Sequence, residues 1–210
     1  MQISIYHPEL KNIDAVIFDL DGTLYNRRGF IPRLIVRLLP TLPYLIRERL
    51  TRRALSGKNY GSERAFRDAF FCKNARFERW YDQKEMPAMV DILSRHHHSE
   101  AWARELITEL RRRDIKIAVY SDYDAAPAKL RALGYQLSDF DLIISASEVG
   151  GLKPAKESME QVIKRLGEVL QTQREPSSAL TADRVLVVGD RDKTDGASAR
   201  AVGARFMLVS

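Results

Sequence analysis

A chain of 210 residues, 45% apolar and 30% charged, is long enough to bury the core of one domain carrying a sizeable insertion and has an ordinary globular composition. It has no apolar run of the roughly 18 residues that would span a bilayer, its N-terminal MQISIYHPELKN lacks the pattern of a secretory signal, and its single Cys72 excludes an internal disulfide, so a cytoplasmic protein is expected. The net charge of +6 is unevenly spread: residues 24–80 hold 14 Lys and Arg against 4 Asp and Glu, which points to an anionic partner or to a solvated helical face.

The first predicted strand, residues 15–18, runs into Asp19 and Asp21 of DLDGTLY. Short runs of nearly continuous apolar character suit strands buried on both faces. Residues 24–98 contain no such run. They carry Pro32, Pro40, Pro43 and Pro87 and many arginines and aromatics, and read as a helical insertion after the first strand. Within it, residues 30–50 mix apolar side chains with arginines, so contact with a membrane surface or an acyl chain stands beside the simpler reading of a helical core. Cys72, next to Phe70 and Phe71, is expected to be buried. His96, His97 and His98 cannot share one face of an element and have no Cys or acidic partner at ligand spacing, so a polar boundary is favoured over a metal site.

Beyond the insertion, Ser99 is expected to cap a helix with Trp102, Leu106, Ile107 and Leu110 on one face. Residues 115–120 form the second strand, ending at Ser121 and Asp122. Residues 127–133 form a short helix closed by Gly134, and residues 141–145 the third strand, followed by Lys153 in GLKP. A helix over 155–170 precedes a polar surface loop at 171–183. Residues 184–188 form the fourth strand, entering Gly189 and Asp190 of GDRDKTD, and residues 204–209 the fifth. Strands alternating with helices imply an α/β fold with a parallel sheet flanked on both faces.

Ligands of such sheets bind outside the carboxyl ends of the strands, where this topology gathers Asp19, Asp21, Ser121, Asp122, Lys153, Asp190 and Asp195. Two carboxylates as close as Asp19 and Asp21 require a cation or a shared proton. Mg²⁺ accepts carboxylate oxygens and keeps positions for phosphate and water. One carboxylate can attack phosphorus while the other moves a proton. Gly22 and Thr23 allow a sharp turn beneath a phosphate. Ser121 offers a hydroxyl, Lys153 a point charge, and Asp190 with Asp195 an acidic end for a metal.

These four segments, in this order, resemble the motifs of the haloacid dehalogenase-like superfamily, phosphatase branch. The resemblance implies a Rossmann-like core of about five strands (residues 1–23 and 99–210) with a helical cap (residues 24–98) inserted after the first motif. It implies Asp19 as nucleophile and metal ligand, and Asp21 as acid/base and as a ligand through its backbone carbonyl. Ser121 and Lys153 would hold the phosphate and Asp190 the metal, with Asp195 supporting the metal water or Lys153. Members that displace halide lack an acid at the position of Asp21, because halide leaves without a proton; its presence favours phosphate. Thr23, Asp122, Arg27 and Arg28 complete the expected substrate contacts, the two arginines nearest the leaving group; Asp122 stands where asparagine is common. The expected activity is Mg²⁺-dependent hydrolysis of a small phosphorylated metabolite, with no nucleic-acid partner. A sugar phosphomutase, or a protein that binds an anionic partner through the basic insertion, remains open.

Overall fold

Five parallel strands, β1 (Ala15–Phe18), β2 (Lys116–Ser121), β3 (Leu142–Ser145), β4 (Val185–Gly189) and β5 (Arg205–Leu208), form one sheet in the order β3-β2-β1-β4-β5. The structure is a computed structural model that describes residues 10–171 and 180–209. Every residue of β1, β2 and β4 is buried, as continuous apolar runs covered on both faces should be. Ile17 pairs with Ala118 on one side and Val187 on the other. The chain builds outward from β1 to β3, then returns to the other side of β1 for β4. The strand order therefore reverses between β1 and β4, where such sheets open a crevice.

Between β1 and β2 lie α1 (Phe30–Leu38), α2 (Leu42–Leu55), α3 (Glu63–Phe71), α4 (Ala75–Trp80), α5 (Met86–His96) and α6 (Ala101–Arg112). The prolines start these helices rather than break them: Pro43 and Pro87 stand in the first turns of α2 and α5, and Pro40 in the short 3₁₀ turn between α1 and α2. Ser62 and Asn74 cap α3 and α4, their side-chain oxygens accepting from the N–H of Ala65 (3.3 Å) and Phe77 (3.0 Å). Phe66, Phe70, Phe71, Phe77, Trp80 and Tyr81 are all buried and extend the core of the sheet into the insertion, with Tyr44 stacked 5.5 Å from Trp80.

Among the contacts that join the insertion to the rest are a bridge at its base and a clasp farther on. Tyr25 and Ser99 form an antiparallel bridge, so the chain leaves and rejoins the core at neighbouring points. Farther on, the Asn59 amide donates to the Val149 carbonyl and to Ser158 Oγ, both at 2.8 Å. Ser56 Oγ donates to the Lys153 carbonyl at 3.1 Å. Gly151 lies so close to this clasp that a Cβ there would meet the Lys58 carbonyl and lie 2.7 Å from Asn59 Cα.

The remaining helices are α7 (Ala126–Ala132), α8 (Lys156–Gln171) and α9 (Ala197–Val202). Two expectations are corrected. Ser99 does not cap α6, because it is taken up in the bridge to Tyr25, and Glu100 occupies the cap position. Cys72 is exposed, not buried: it ends α3 in a left-handed conformation, φ 52°, which turns it outward while Phe70 and Phe71 stay inside. Of the expected loop at 171–183, residue 171 ends α8 and 182–184 form a 3₁₀ turn, while 172–179 lie outside the described residues. The three histidines diverge: His97 is buried with Nδ1 2.9 Å from the Asn26 carbonyl, while His96 and His98 are exposed. Among the described residues no helix is long and apolar enough to cross a membrane.

Candidate active site

Asp19 emerges at the carboxyl end of β1 and Asp190 at that of β4, the two strands flanking the crevice. Gly22 makes the intervening turn possible. Its φ is +107°, and a Cβ there would run into the Asp190 carboxylate and lie 2.6 Å from Arg27 Cδ. The turn brings Thr23 back so that its hydroxyl donates to Asp19 Oδ2 at 3.1 Å.

Lys153 closes the other side. Its ammonium lies 2.5 Å from Asp19 Oδ1, 2.7 Å from Asp195 Oδ1 and 3.2 Å from the Tyr120 carbonyl. Asp195 rides on a π-helical turn, Asp192–Gly196, a geometry frequent at functional sites. Gly189 leaves room for it, since a Cβ there would sit 2.5 Å from that of Asp195. Asp122 accepts from the Lys153 backbone N–H at 3.1 Å, so its carboxylate is turned to the lysine segment.

Single carboxylate oxygens of Asp19, Asp190 and Asp195 lie within 4.8 Å of one another. Burial pushes the Asp19 carboxyl up to about 7; Lys153 opposes the rise, and Asp195 and Asp21 add to it. Lys153 therefore does not offset the cost of burying the Asp19 charge beside Asp195 and Asp21. Hard oxygen donors with this deficit fit a divalent cation such as Mg²⁺. Lys153 stays protonated: burial works against its charge, but Asp19, Asp195 and Asp122 outweigh it and raise it well above the ordinary lysine value.

Asp21 is buried apart from this cluster. Its Oδ2 accepts from Lys129 at 2.9 Å and from Ser121 Oγ at 3.2 Å, and its Oδ1 from Lys129 at 3.0 Å and from the Tyr25 hydroxyl at 2.9 Å. Burial alone would raise the Asp21 carboxyl, but the charge and hydrogen bonds of Lys129, with the Tyr25 hydroxyl, hold it below the ordinary carboxylate value. Lys129 itself is lowered by burial, against the pull of Asp21. Sequence reading missed this lysine. A signal existed: Lys129 falls with Ala126 and Leu130 on the buried face of α7, and a lysine on such a face needs a carboxylate partner.

Arg27 stands half-buried, 3.9 Å from Asp190, and Arg191, also unforeseen, lies 3.4 Å from the other oxygen of Asp190. Arg28 is exposed on the rim of a neighbouring cleft shared with Gly22, Thr23 and Asp190. Nine of the 14 Lys and Arg between residues 24 and 80 are exposed, but some of the insertion's arginines turn inward. Arg52 binds Glu48 at 2.6 Å and the Asp122 carbonyl at 2.6 Å, with its guanidinium 3.8 Å from the Tyr123 ring centre. Arg67 pairs with Glu78, Asp82 and Asp124.

A family described as haloacid dehalogenase-like hydrolase matches residues 13–203. No curated protein sequence matches the chain. Solved structures share its fold at low identity. A HAD phosphatase from Thermococcus onnurineus is 22% identical with a TM-score of 0.63, covering 94% of this chain and 86% of its own. CbbY from Rhodobacter sphaeroides, in complex with phosphate, is 20% identical with a TM-score of 0.63, at 93% and 85% coverage. YfnB from Bacillus subtilis, bound to magnesium, is 16% identical with a TM-score of 0.63, at 95% and 89% coverage.

Proposed function

Because the chain belongs to the haloacid dehalogenase-like hydrolases, we propose that it hydrolyses a phosphate monoester through an aspartyl-phosphate on Asp19, with Mg²⁺ as cofactor. The observation that carries this reading is the division of labour between two buried aspartates. Asp19 sits against Lys153 and the acidic cluster, while Asp21 sits apart in a cradle of Lys129, Tyr25 and Ser121.

In the first step an Asp19 oxygen bonds to phosphorus, the bond from phosphorus to the ester oxygen breaks, and Asp21 gives a proton to the departing alcohol. In the second step a water oxygen bonds to the same phosphorus and gives its proton to Asp21. The Asp19–phosphorus linkage breaks, and inorganic phosphate leaves. Lys129 and Tyr25 keep Asp21 ionised as the base of this second step; for the first step, the negative charge of an arriving phosphate beside Asp21 favours uptake of a proton from solvent, which then serves the leaving alcohol. Lys153 and Ser121 hold the phosphoryl oxygens, with Thr23 steadying Asp19. The side chains of Asp19 and Asp190 and the backbone carbonyl of Asp21 would hold Mg²⁺, with Asp195 beside them, and the ion would offset the phosphate's charge. Residues 24–98 act as a cap that shields the transfer from bulk water.

The test is release of inorganic phosphate from a panel of phosphate monoesters, with Mg²⁺ or EDTA, by wild type and Asp19→Asn. Turnover that needs Mg²⁺ and vanishes in Asp19→Asn is expected. A rearranged ester in place of phosphate would move the reading to a mutase, and turnover surviving in Asp19→Asn would remove the aspartyl-phosphate.

A further inference from the structure

Seven large apolar side chains are exposed among the described residues, and six of them fall between positions 31 and 50: Ile31, Ile35, Val36, Leu39, Ile46 and Leu50. A scatter of single exposed aliphatics is ordinary, whereas a concentration of this kind marks a surface that something covers. Four of the six, Ile31, Ile35, Ile46 and Leu50, line a cleft of about 490 Å³ between α1 and α2, floored by Leu34 and Leu45, a volume that suits a small organic ligand.

The cleft adjoins the reacting groups at two points. Arg27 and Arg191, the cations that bracket Asp190, both line it. Tyr123 lines it too, with its ring centre 4.7 Å from the Lys129 ammonium that holds Asp21. A fourth polar wall is Arg49, which donates to the Tyr123 hydroxyl. The arrangement thus pairs cations at the acidic cluster and the Asp21 cradle with aliphatic carbon beyond them.

We infer that the ligand is a phosphate monoester of a hydrophobic alcohol, whose apolar part lies along α1 and α2. This rests on the phosphatase reading, since the protonated leaving oxygen must sit at Asp21, and the substrate then extends past Tyr123 into the cleft. A sugar or other polyol would meet few hydrogen-bonding partners there, because the walls beyond the arginines are Ile and Leu.

A series of n-alkyl phosphates from ethyl to octyl, each below its micellar concentration, tests this. Leaving-alcohol acidity is nearly constant along the series, so a slope in kcat/KM reports the cleft. A rise of roughly two- to fourfold per methylene is expected, carried mainly by KM, and Ile35→Glu/Ile46→Glu, two exposed positions, should flatten it while the protein stays folded by circular dichroism. In parallel, calorimetry on Asp19→Asn should show octyl phosphate binding far more tightly than ethyl phosphate. If ethyl and octyl phosphates are hydrolysed equally well, the apolar ligand is overturned and the phosphatase reading stands. If no ester is hydrolysed but octyl phosphate binds preferentially, the phosphatase reading fails and the cleft assignment holds. Flat binding, with dimers in size-exclusion chromatography that the double substitution dissolves, would assign the face to a second copy of the chain and overturn the proposal.

Discussion

The ammonium of Lys129 lies 2.9 and 3.0 Å from the two carboxylate oxygens of Asp21, a residue 108 positions earlier in the chain. Both side chains are buried, so each is the other's principal counter-charge. Removing one partner of such a pair leaves an uncompensated charge in a medium that solvates it poorly.

Lys129→Met is therefore expected to destabilise the fold by about 3–5 kcal/mol, lowering the thermal midpoint by roughly 6–20 °C in a domain of this size. Assayed well below that midpoint, kcat should fall by about 10²-fold or more, with KM changed far less. Thermal unfolding and steady-state kinetics check the two parts separately. A variant with wild-type kcat would show that Asp21 does not depend on the lysine.

Gly22→Ala introduces a methyl group where the Asp190 carboxylate now stands, at a φ of +107° that side chains rarely adopt. The strain alone costs on the order of 1–3 kcal/mol. Displacing Asp190 should also weaken Mg²⁺, so activity should require at least about tenfold more Mg²⁺ for half-saturation. Activity measured against Mg²⁺ concentration reads this directly, and an unchanged midpoint would place Asp190 outside the metal site.

Metal removal offers a test without substrate. A ligand that binds only the folded state at 100 times its dissociation constant adds about 2.7 kcal/mol. Mg²⁺ should therefore raise the thermal midpoint by several degrees over EDTA, and Asp190→Asn should abolish most of the shift. An equal shift in wild type and Asp190→Asn would mean that the ion binds elsewhere.

A pH dependence follows from Glu85, which is fully buried on the π-helical turn Tyr81–Glu85 beside Glu48. Burial, with the charge of Glu48, pushes its carboxyl from 4.5 up to about 8, against Arg49 and Arg52. The folded state then holds a proton that the unfolded chain releases at lower pH. That stabilisation is complete below about 4.5 and is lost as pH rises through about 8. Glu85→Gln cannot titrate, so the wild-type midpoint should fall relative to the variant between pH 5 and 8. A gap that stays constant over that range would show that Glu85 is ionised throughout.

The strands were readable because continuous apolar runs have few other places to go than a doubly covered sheet. Once those runs are parallel, residues at their carboxyl ends converge, which is how Asp19, Lys153, Asp190 and Asp195 meet from positions far apart. What escaped reading depended on partners the local sequence does not contain. Lys129 shares the apolar face of α7 with Ala126 and Leu130, which hints at a buried partner, but nothing local identifies that partner as Asp21. The basic count over residues 24–80 could not tell a solvated arginine from Arg52, half-buried between Glu48 and Tyr123. Cys72 was misjudged because aromatic neighbours say nothing about a left-handed residue ending a helix.

The bridge between Tyr25 and Ser99, at the base of the insertion, has an evolutionary corollary. The two crossing points of the chain are side by side, so the helices between them can lengthen, shorten or be exchanged without shifting β1 against β2. Selection can thus redraw the cleft of α1 and α2 while Asp19 and Asp21 keep their stations, letting preference for a ligand drift on a fixed chemical engine.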